Sequence, residues 1–519
     1  MSKANSASPV SLRVSIDGAP AVEKNCDLLV VACDPRNLRM VCSFTGEEVS
    51  VFSRLTNFTF HTTLVKVKVP SSKPEFGIIL NPDAIDEMGG AVSGYRNETA
   101  KQFSLETANG MVENLVTVYQ LQGAAGTPWT NEQFLNNLKA TLPQLEWWPY
   151  PEFEVVHDDS GDPVCLTTPY FDHFNNDGLT AKMPWNYLGV QGTGHTIYVH
   201  GSTCFESVLQ CWQYGGMLLE KQQELGWRLP SDLSASIIVL GAGPSGLLFA
   251  HLLKERGHSN VEILEPSDRI GGKTHTVTLH EPSPHDSGAA TACELGTCYL
   301  SPAYDKMVTA LGRFLEGNCR HGFYIMKDHS DPENRSFRGM VAEGLTPGIH
   351  LSEATISYDE YVILKGQVAN GEKPDPRRAK ETERKIGEAL GKYDVLVHQY
   401  LGSELPLPFN PPQKLLDKRY SSFYDFLERN DLLILTGLLE YSYSVQGYGP
   451  LKHIPAYYGM IWISLPLTKA ILKSYKCKDA TPMVTVLSKG WLALWEEMRT
   501  KVPLNVTLNT TIERIDRVT

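Results

Sequence analysis

Six residues, Gly241-Ala242-Gly243-Pro244-Ser245-Gly246, have the types and spacing to hold a diphosphate. Gly241 permits a tight turn. Gly243 has no side chain, so a pyrophosphate can approach the backbone, and Gly246 lets a following helix pack closely on the preceding strand. Glu265, about 24 residues after the first glycine, is placed to accept hydrogen bonds from ribose hydroxyls. These residues need particular elements to position them. Ser236–Leu240 is a short apolar, β-branched run, which predicts a buried parallel strand. Leu247–Leu253 predicts an apolar helix that Gly257 can end, and Val261–Leu264 predicts a second strand running into Glu265. Strand, glycine turn, helix, strand and acid together make a dinucleotide fingerprint, with the positive end of the helix facing the diphosphate.

Just beyond stands Arg269-Ile270-Gly271-Gly272-Lys273-Thr274. It resembles the Arg-x-Gly-Gly-Arg signature of the flavin amine oxidase superfamily. Lys273 departs from that pattern. It keeps the charge but loses the bidentate fork of the usual arginine. Glu294–Leu300 resembles the segment that runs along the isoalloxazine ring, Gly490–Trp495 a helix start, and Val506–Ile515 a strand pair passing the adenine. The resemblance implies an α/β fold: a doubly wound, Rossmann-like FAD-binding domain with an interleaved mixed α+β substrate domain. It implies FAD, held non-covalently, as cofactor. The residues it assigns to FAD are Gly241, Ala242, Gly243, Pro244, Ser245, Gly246, Glu265, Arg269, Gly271, Gly272, Lys273, Leu295, Gly296, Thr297 and Ile512, with Gly201 and Ser202 from the N-terminal half.

In that superfamily the fingerprint lies near the N-terminus, whereas here it begins after more than 230 residues. Ser11–Gly18 alternates like a strand, Cys26–Pro35 resembles the relatives' acid, apolar run and proline, and Tyr198–Gly201 followed by Phe205–Gln210 resembles their last strand and helix. The order predicts a circular permutation. Residues 1–231 would be the family's C-terminal half, with part of the substrate domain at 60–185 and the last FAD-domain strand and helix at 190–222. Residues 232–519 would be its N-terminal half, with the FAD-binding βαβ unit at 235–300, substrate-domain sequence at 305–480 and FAD-domain strands at 484–519. The rival reading is a gene boundary read through tandem copies.

The implied activity is hydride transfer from an organic small molecule to flavin N5, with oxygen as reoxidant. The alternatives are an FAD-dependent double-bond isomerase of an apolar, fatty-acid-like substrate, and a non-catalytic flavoprotein or misassembled gene product. Amine oxidases carry a lysine near flavin N5. Aligned on Pro70, Leu64 takes that place, and Lys66 lies two residues on along the same strand face. Lys66 and His61, a proton carrier by type, are the catalytic candidates, each weighed against a solvent-facing or idle role. The aromatics Trp147, Trp148, Tyr150, Trp185, Tyr187, Tyr457 and Tyr458 are read as core more than as a substrate cage.

Composition sets outer bounds. The chain has 519 residues and a formal charge of −12, which gives no support to nucleic-acid binding. Its 10 cysteines include no Cys-x-x-Cys pair and no Cys/His set at zinc spacing, so no metal is expected. With no secretory leader and no apolar run of membrane-spanning length in view, a cytoplasmic protein is expected. Oligomeric state is left open.

Overall fold

Four short runs of apolar residues can lie side by side in a parallel sheet only if both of its faces are covered. A computed structural model shows this arrangement. It describes residues 9–70, 78–98, 105–106, 111–124, 127–148, 150, 152–280, 290–318, 320–323, 338–341, 355–402, 409–444, 446–463 and 484–518. Its central sheet has five parallel strands in the order Thr196–Tyr198, Leu28–Val31, Ile237–Leu240, Val261–Leu264 and Asn505–Thr507. The fingerprint strand Ile237–Leu240 is thus paired on one side with a strand from the first 31 residues of the chain. The helices Pro244–Glu255 and Val208–Glu220 pack against each other beside this sheet. They approach so closely at Gly215 that a Cβ there would lie 3.1 Å from the Phe249 ring.

A second, antiparallel sheet joins Val22–Cys26, Val10–Ile16 and Thr510–Arg517, with Val10 opposite Arg517 and Ile16 opposite Thr510. The Ser11–Gly18 strand and the Val506–Ile515 pair expected from the sequence are therefore neighbours. A larger mixed sheet is built around the long strand Leu55–Pro70, flanked by Cys165–Phe174 and Met111–Gln122. A helical layer includes Tyr358–Ala369, Ala379–Leu401, Phe423–Arg429 and Ala456–Trp462. In Ala379–Leu401 the buried residues Ile386, Leu390, Tyr393, Val397 and Leu401 recur every three or four positions, the apolar stripe of an amphipathic helix. Trp147, Trp148, Tyr150 and Tyr95 form a core cluster of their own, so those aromatics are packing and not a cage. Among the described residues no helix is long and apolar enough to cross a membrane.

A buried ion pair ties the antiparallel sheet to the helix Gly46–Phe52. Arg517 reaches Glu48 with both terminal nitrogens at 2.8 Å, and both side chains are almost fully buried. The Tyr198 hydroxyl donates to the same carboxylate. Burial alone would raise the Glu48 carboxyl, but Arg517, Tyr198 and the Thr45 backbone hold it below the usual range. Arg517→Leu leaves that carboxylate uncompensated and should cost about 3–5 kcal/mol in denaturant unfolding, much of which the double variant Arg517→Leu/Glu48→Gln should restore.

Candidate active site

The glycine turn follows directly from close packing. Gly241 sits at φ +105°, a conformation that favours glycine, and a Cβ there would lie 3.3 Å from the Ala32 backbone. A Cβ at Gly246 would lie 2.0 Å from the Gly241 carbonyl oxygen. Gly243 differs: the nearest atom to a Cβ built there is 3.9 Å away, so that side of the turn faces open space. Gly243 also caps the helix Pro244–Glu255, and no side chain accepts from its first turn. Those N–H groups and the positive helix end are left for an anion. The Glu265 carboxylate is held toward the turn by the Ala242 N–H at 2.7 Å and by the Ser267 N–H and hydroxyl at 3.0 and 2.7 Å.

The Arg269–Thr274 loop lies on this turn. The Gly271 N–H donates to the Ala242 carbonyl at 2.9 Å, and a Cβ at Gly272 would meet the Gly243 Cα at 3.0 Å. The Thr274 hydroxyl donates back to the Gly271 carbonyl and accepts from the Trp495 indole at 2.7 Å. The next segment is seated on the loop in turn: the Thr297 N–H bonds the Lys273 carbonyl, and a Cβ at Gly296 would lie 1.8 Å from that same oxygen.

A cavity of about 320 Å³ runs from Glu265 past the glycine turn to Lys273 and Thr297. Of the residues the sequence reading assigns to a cofactor, its walls bring together Gly241, Gly243, Pro244, Ser245, Glu265, Gly272, Lys273, Thr297 and Gly201. They also bring Cys33, Asp34, Asn37, Tyr170, Asp172, His200, Glu206 and Cys211, which the sequence reading did not assign. The charges here are interlocked. Lys273 pairs with Glu206, lies 3.9 Å from Asp172 and sits 5.4 Å above the Tyr170 ring. Arg36 joins Asp34 at 2.7 Å and also pairs with Asp172, which accepts from Asn57 at 2.9 Å. Burial would lower the Lys273 ammonium, but Glu206 and Asp172 raise it. Burial would raise the Asp172 carboxyl, but Lys273, His200 and Arg36 hold it below the usual range.

A second, inner cavity of about 20 Å³ shares Thr168, Tyr170, Lys273 and Thr297 with the first. Phe60, Arg96, Tyr119, Leu166, Leu295, Gly296, Cys298 and Gln446 complete its wall.

Several predicted residues lie elsewhere. Ala242, Gly246 and Gly271 shape the turn and loop from behind the outer cavity's wall. Arg269 closes its own loop through the Gly272 carbonyl at 3.0 Å and is not on that wall. Ser202 is buried behind it, bonded to His200 at 3.0 Å, and the acid that reaches the cavity at this corner is Glu206, four residues on. Ile512 is half-buried opposite Val14, two residues past the point where Thr510 bonds the Glu265 carbonyl. His61 does not face solvent. It lies within the strand Leu55–Pro70, with one ring nitrogen on Thr63 at 2.8 Å and the other on Thr167 at 2.5 Å, stacked on Phe134. Burial pushes its pKa down to about 3, and it lines neither cavity. Lys66 is exposed, and Leu64 is buried against Cys293 and Leu295. The signal for Asp34 and Asn37 was their place just after a parallel strand, where such sheets bind ligands. Asp172 and Glu206 gave no local signal.

Glu294 has a structural task. It accepts from the Trp491 N–H at 2.8 Å, so it caps the helix Gly490–Lys501, and the Thr276 hydroxyl donates to it. Burial raises its pKa to about 7.

Residues 239–302 match the family described as NAD(P)-binding Rossmann-like domain. The chain is 25% identical over 296 residues to a polyenoic fatty acid isomerase of Ptilota filicina, covering 56% of this chain and 52% of that protein. It is 40% identical over 77 residues to a flavin-dependent L-tryptophan oxidase of Lentzea aerocolonigenes, covering 15% of each. It is 50% identical over 72 residues to a flavin-containing amine oxidase of Oncorhynchus mykiss, covering 14% of this chain and 12% of that one. The matched part thus spans about half the length of the first of these relatives and less of the others. The fold is α/β with a Rossmann-like dinucleotide-binding domain. In its glycine turn, its Arg269–Lys273 loop and these matches, the chain is similar to proteins of the flavin amine oxidase superfamily.

Two variants separate binding from folding. Gly243→Ala should leave the melting temperature unchanged and abolish dinucleotide binding, because its methyl enters open space in the cradle. Gly246→Ala should fail to give stable protein, because its methyl meets a carbonyl. A third concerns pH. The folded Glu294 carboxyl holds its proton more tightly than the unfolded one, so stability falls as pH rises from about 4.5 toward 7. Glu294→Gln should flatten this dependence in thermal melts at pH 4 to 8, by at most about 3 kcal/mol.

Proposed function

We propose that this chain is an FAD-dependent oxidoreductase that takes a hydride from an organic small molecule, with oxygen as the reoxidant. The observation that carries the reading is the shared wall: the far end of the dinucleotide cavity, at Lys273 and Thr297, is also the near end of the inner cavity. The open side of Gly243 and the uncapped helix turn beside it fit a pyrophosphate. Glu265 fits a ribose, and the Leu295–Thr297 backbone would border the ring, with no covalent link needed. FAD held there would supply the hydride acceptor. The chain's own contribution is position and exclusion of water. Tyr170 and Lys273 close the boundary between the cavities, and Phe60 and Leu166 give the inner one apolar walls.

We also propose that the chain order is a circular permutation, with residues 232–519 and 1–231 corresponding to the family's N- and C-terminal halves. The pairing of Leu28–Val31 with Ile237–Leu240 supports it, since one sheet draws strands from both parts.

One observation favours a second reading, double-bond isomerisation without net oxidation. Leu64 stands where amine oxidases carry lysine, and neither His61 nor Lys66 lines either of the two cavities described. A relative matched over 296 residues is an isomerase by name. The purified full chain should carry flavin absorbance that survives desalting. A folded but colourless protein, also colourless after incubation with FAD, would overturn the cofactor assignment. On turnover, an oxidase should release one peroxide per product and an isomerase none.

A further inference from the structure

The inner cavity contains polar hydrogens that the fold leaves unused. Arg96, 2% exposed, has its guanidinium between two rings, 5.8 Å from the centroids of both Tyr119 and Tyr299. Its Nε donates to Glu98 at 2.9 Å, and one terminal nitrogen is taken by Glu98 and the Glu294 carbonyl. The other terminal nitrogen, which carries two hydrogens, meets the Cys298 sulfur at 2.7 Å. The hydroxyls of Tyr119 and Tyr299, on side chains 5% and 7% exposed, have no hydrogen-bond partner among the described residues. A buried, unmade hydrogen bond costs about 1–3 kcal/mol, so two beside one buried cation call for an explanation. Tyr119 and Arg96 both line the inner cavity, and about 20 Å³ is room for one water-sized group.

We propose that Arg96, Tyr119 and Tyr299 form a donor niche that receives an oxygen acceptor of the substrate, a carboxylate or a carbonyl, beside the cofactor's end of the site. This rests on the function proposed above and names its substrate class. The niche is unsuited to an ammonium group. Glu98, the carboxylate paired with Arg96, is 4% exposed and already accepts from Arg96 and from the Thr117 hydroxyl at 2.7 Å. Lys273, on the same wall, adds positive charge balanced by Glu206 and Asp172. Phe60, Leu166 and Leu295 add apolar surface to a wall that also carries Thr168, Thr297 and Gln446, so the oxygen would be carried on a body that is hydrocarbon in part.

The test uses the flavin-loaded full chain and three probes of one length: hexanoate, hexanamide and hexylamine. Binding is read from perturbation of the flavin spectrum and from thermal shift. Hexanoate, hexanamide or both should bind at least tenfold more tightly than hexylamine. Hexanoate ahead of hexanamide identifies a carboxylate substrate, and equal binding a neutral carbonyl. Tyr119→Phe and Tyr299→Phe remove only hydroxyls that the fold does not use. Each should weaken the favoured probe about tenfold while the melting temperature stays level or rises. Preference for hexylamine, or unchanged binding in both variants, would overturn the niche. A protein without flavin would overturn the proposed function instead, so the two failures are distinguishable.

Discussion

The packing of Ala32 against the glycine turn is the contact on which the rest of the site depends. Its backbone would crowd a Cβ at Gly241 at 3.3 Å, and its Cβ lies 3.1 Å from where one would stand on Gly246. The turn therefore takes its shape from a residue more than 200 positions earlier. Because the turn is held there, the helix that follows starts in the open, Glu265 can bond the Ala242 N–H, and the Arg269–Thr274 loop has a flat surface to lie on. Each later part of the site is seated on the one before it, as Gly296 is on Lys273.

Charge does the second part of the assembly. Four carboxylates line the outer cavity, an arrangement that would resist folding if they were left alone. Lys273 and Arg36 neutralise three of them in one network, in which Asp172 serves both cations. The lysine that departs from the family pattern is thus bound chiefly to protein carboxylates from the N-terminal half. An arginine's planar fork is suited to phosphate, whereas a lysine on a flexible stem suits this reach between two acids.

Much of this was legible in the residues. The strand Val261–Leu264 has the bounds the apolar pattern predicts, and Ile237–Leu240 starts one residue later than expected. Gly257 follows the helix at φ +91°, as its role in ending it requires. Local patterns reveal local geometry, and for that reason the site was only half legible. Asp172 and Glu206 approach Lys273 through tertiary packing that no spacing encodes. Ser202 lies off the cavity wall because the chain after Tyr198 passes through the 3-10 turn Gly201–Thr203 before its helix begins at Val208, and Glu206, between the two, lines the cavity. His61 misled because a histidine in a strand rich in threonine can satisfy both ring nitrogens without solvent.

The strand Leu28–Val31 has one consequence in time. Its neighbours in the sheet are Thr196–Tyr198 and Ile237–Leu240. At about 5–20 residues per second, a ribosome needs on the order of 10–40 s to supply the second of these after the first strand emerges. Through that interval a fully apolar strand has at least one unpaired edge, and two until Thr196–Tyr198 emerges. The chain must shelter a segment that its own fold will bury completely, and the speed of translation sets how long the exposure lasts.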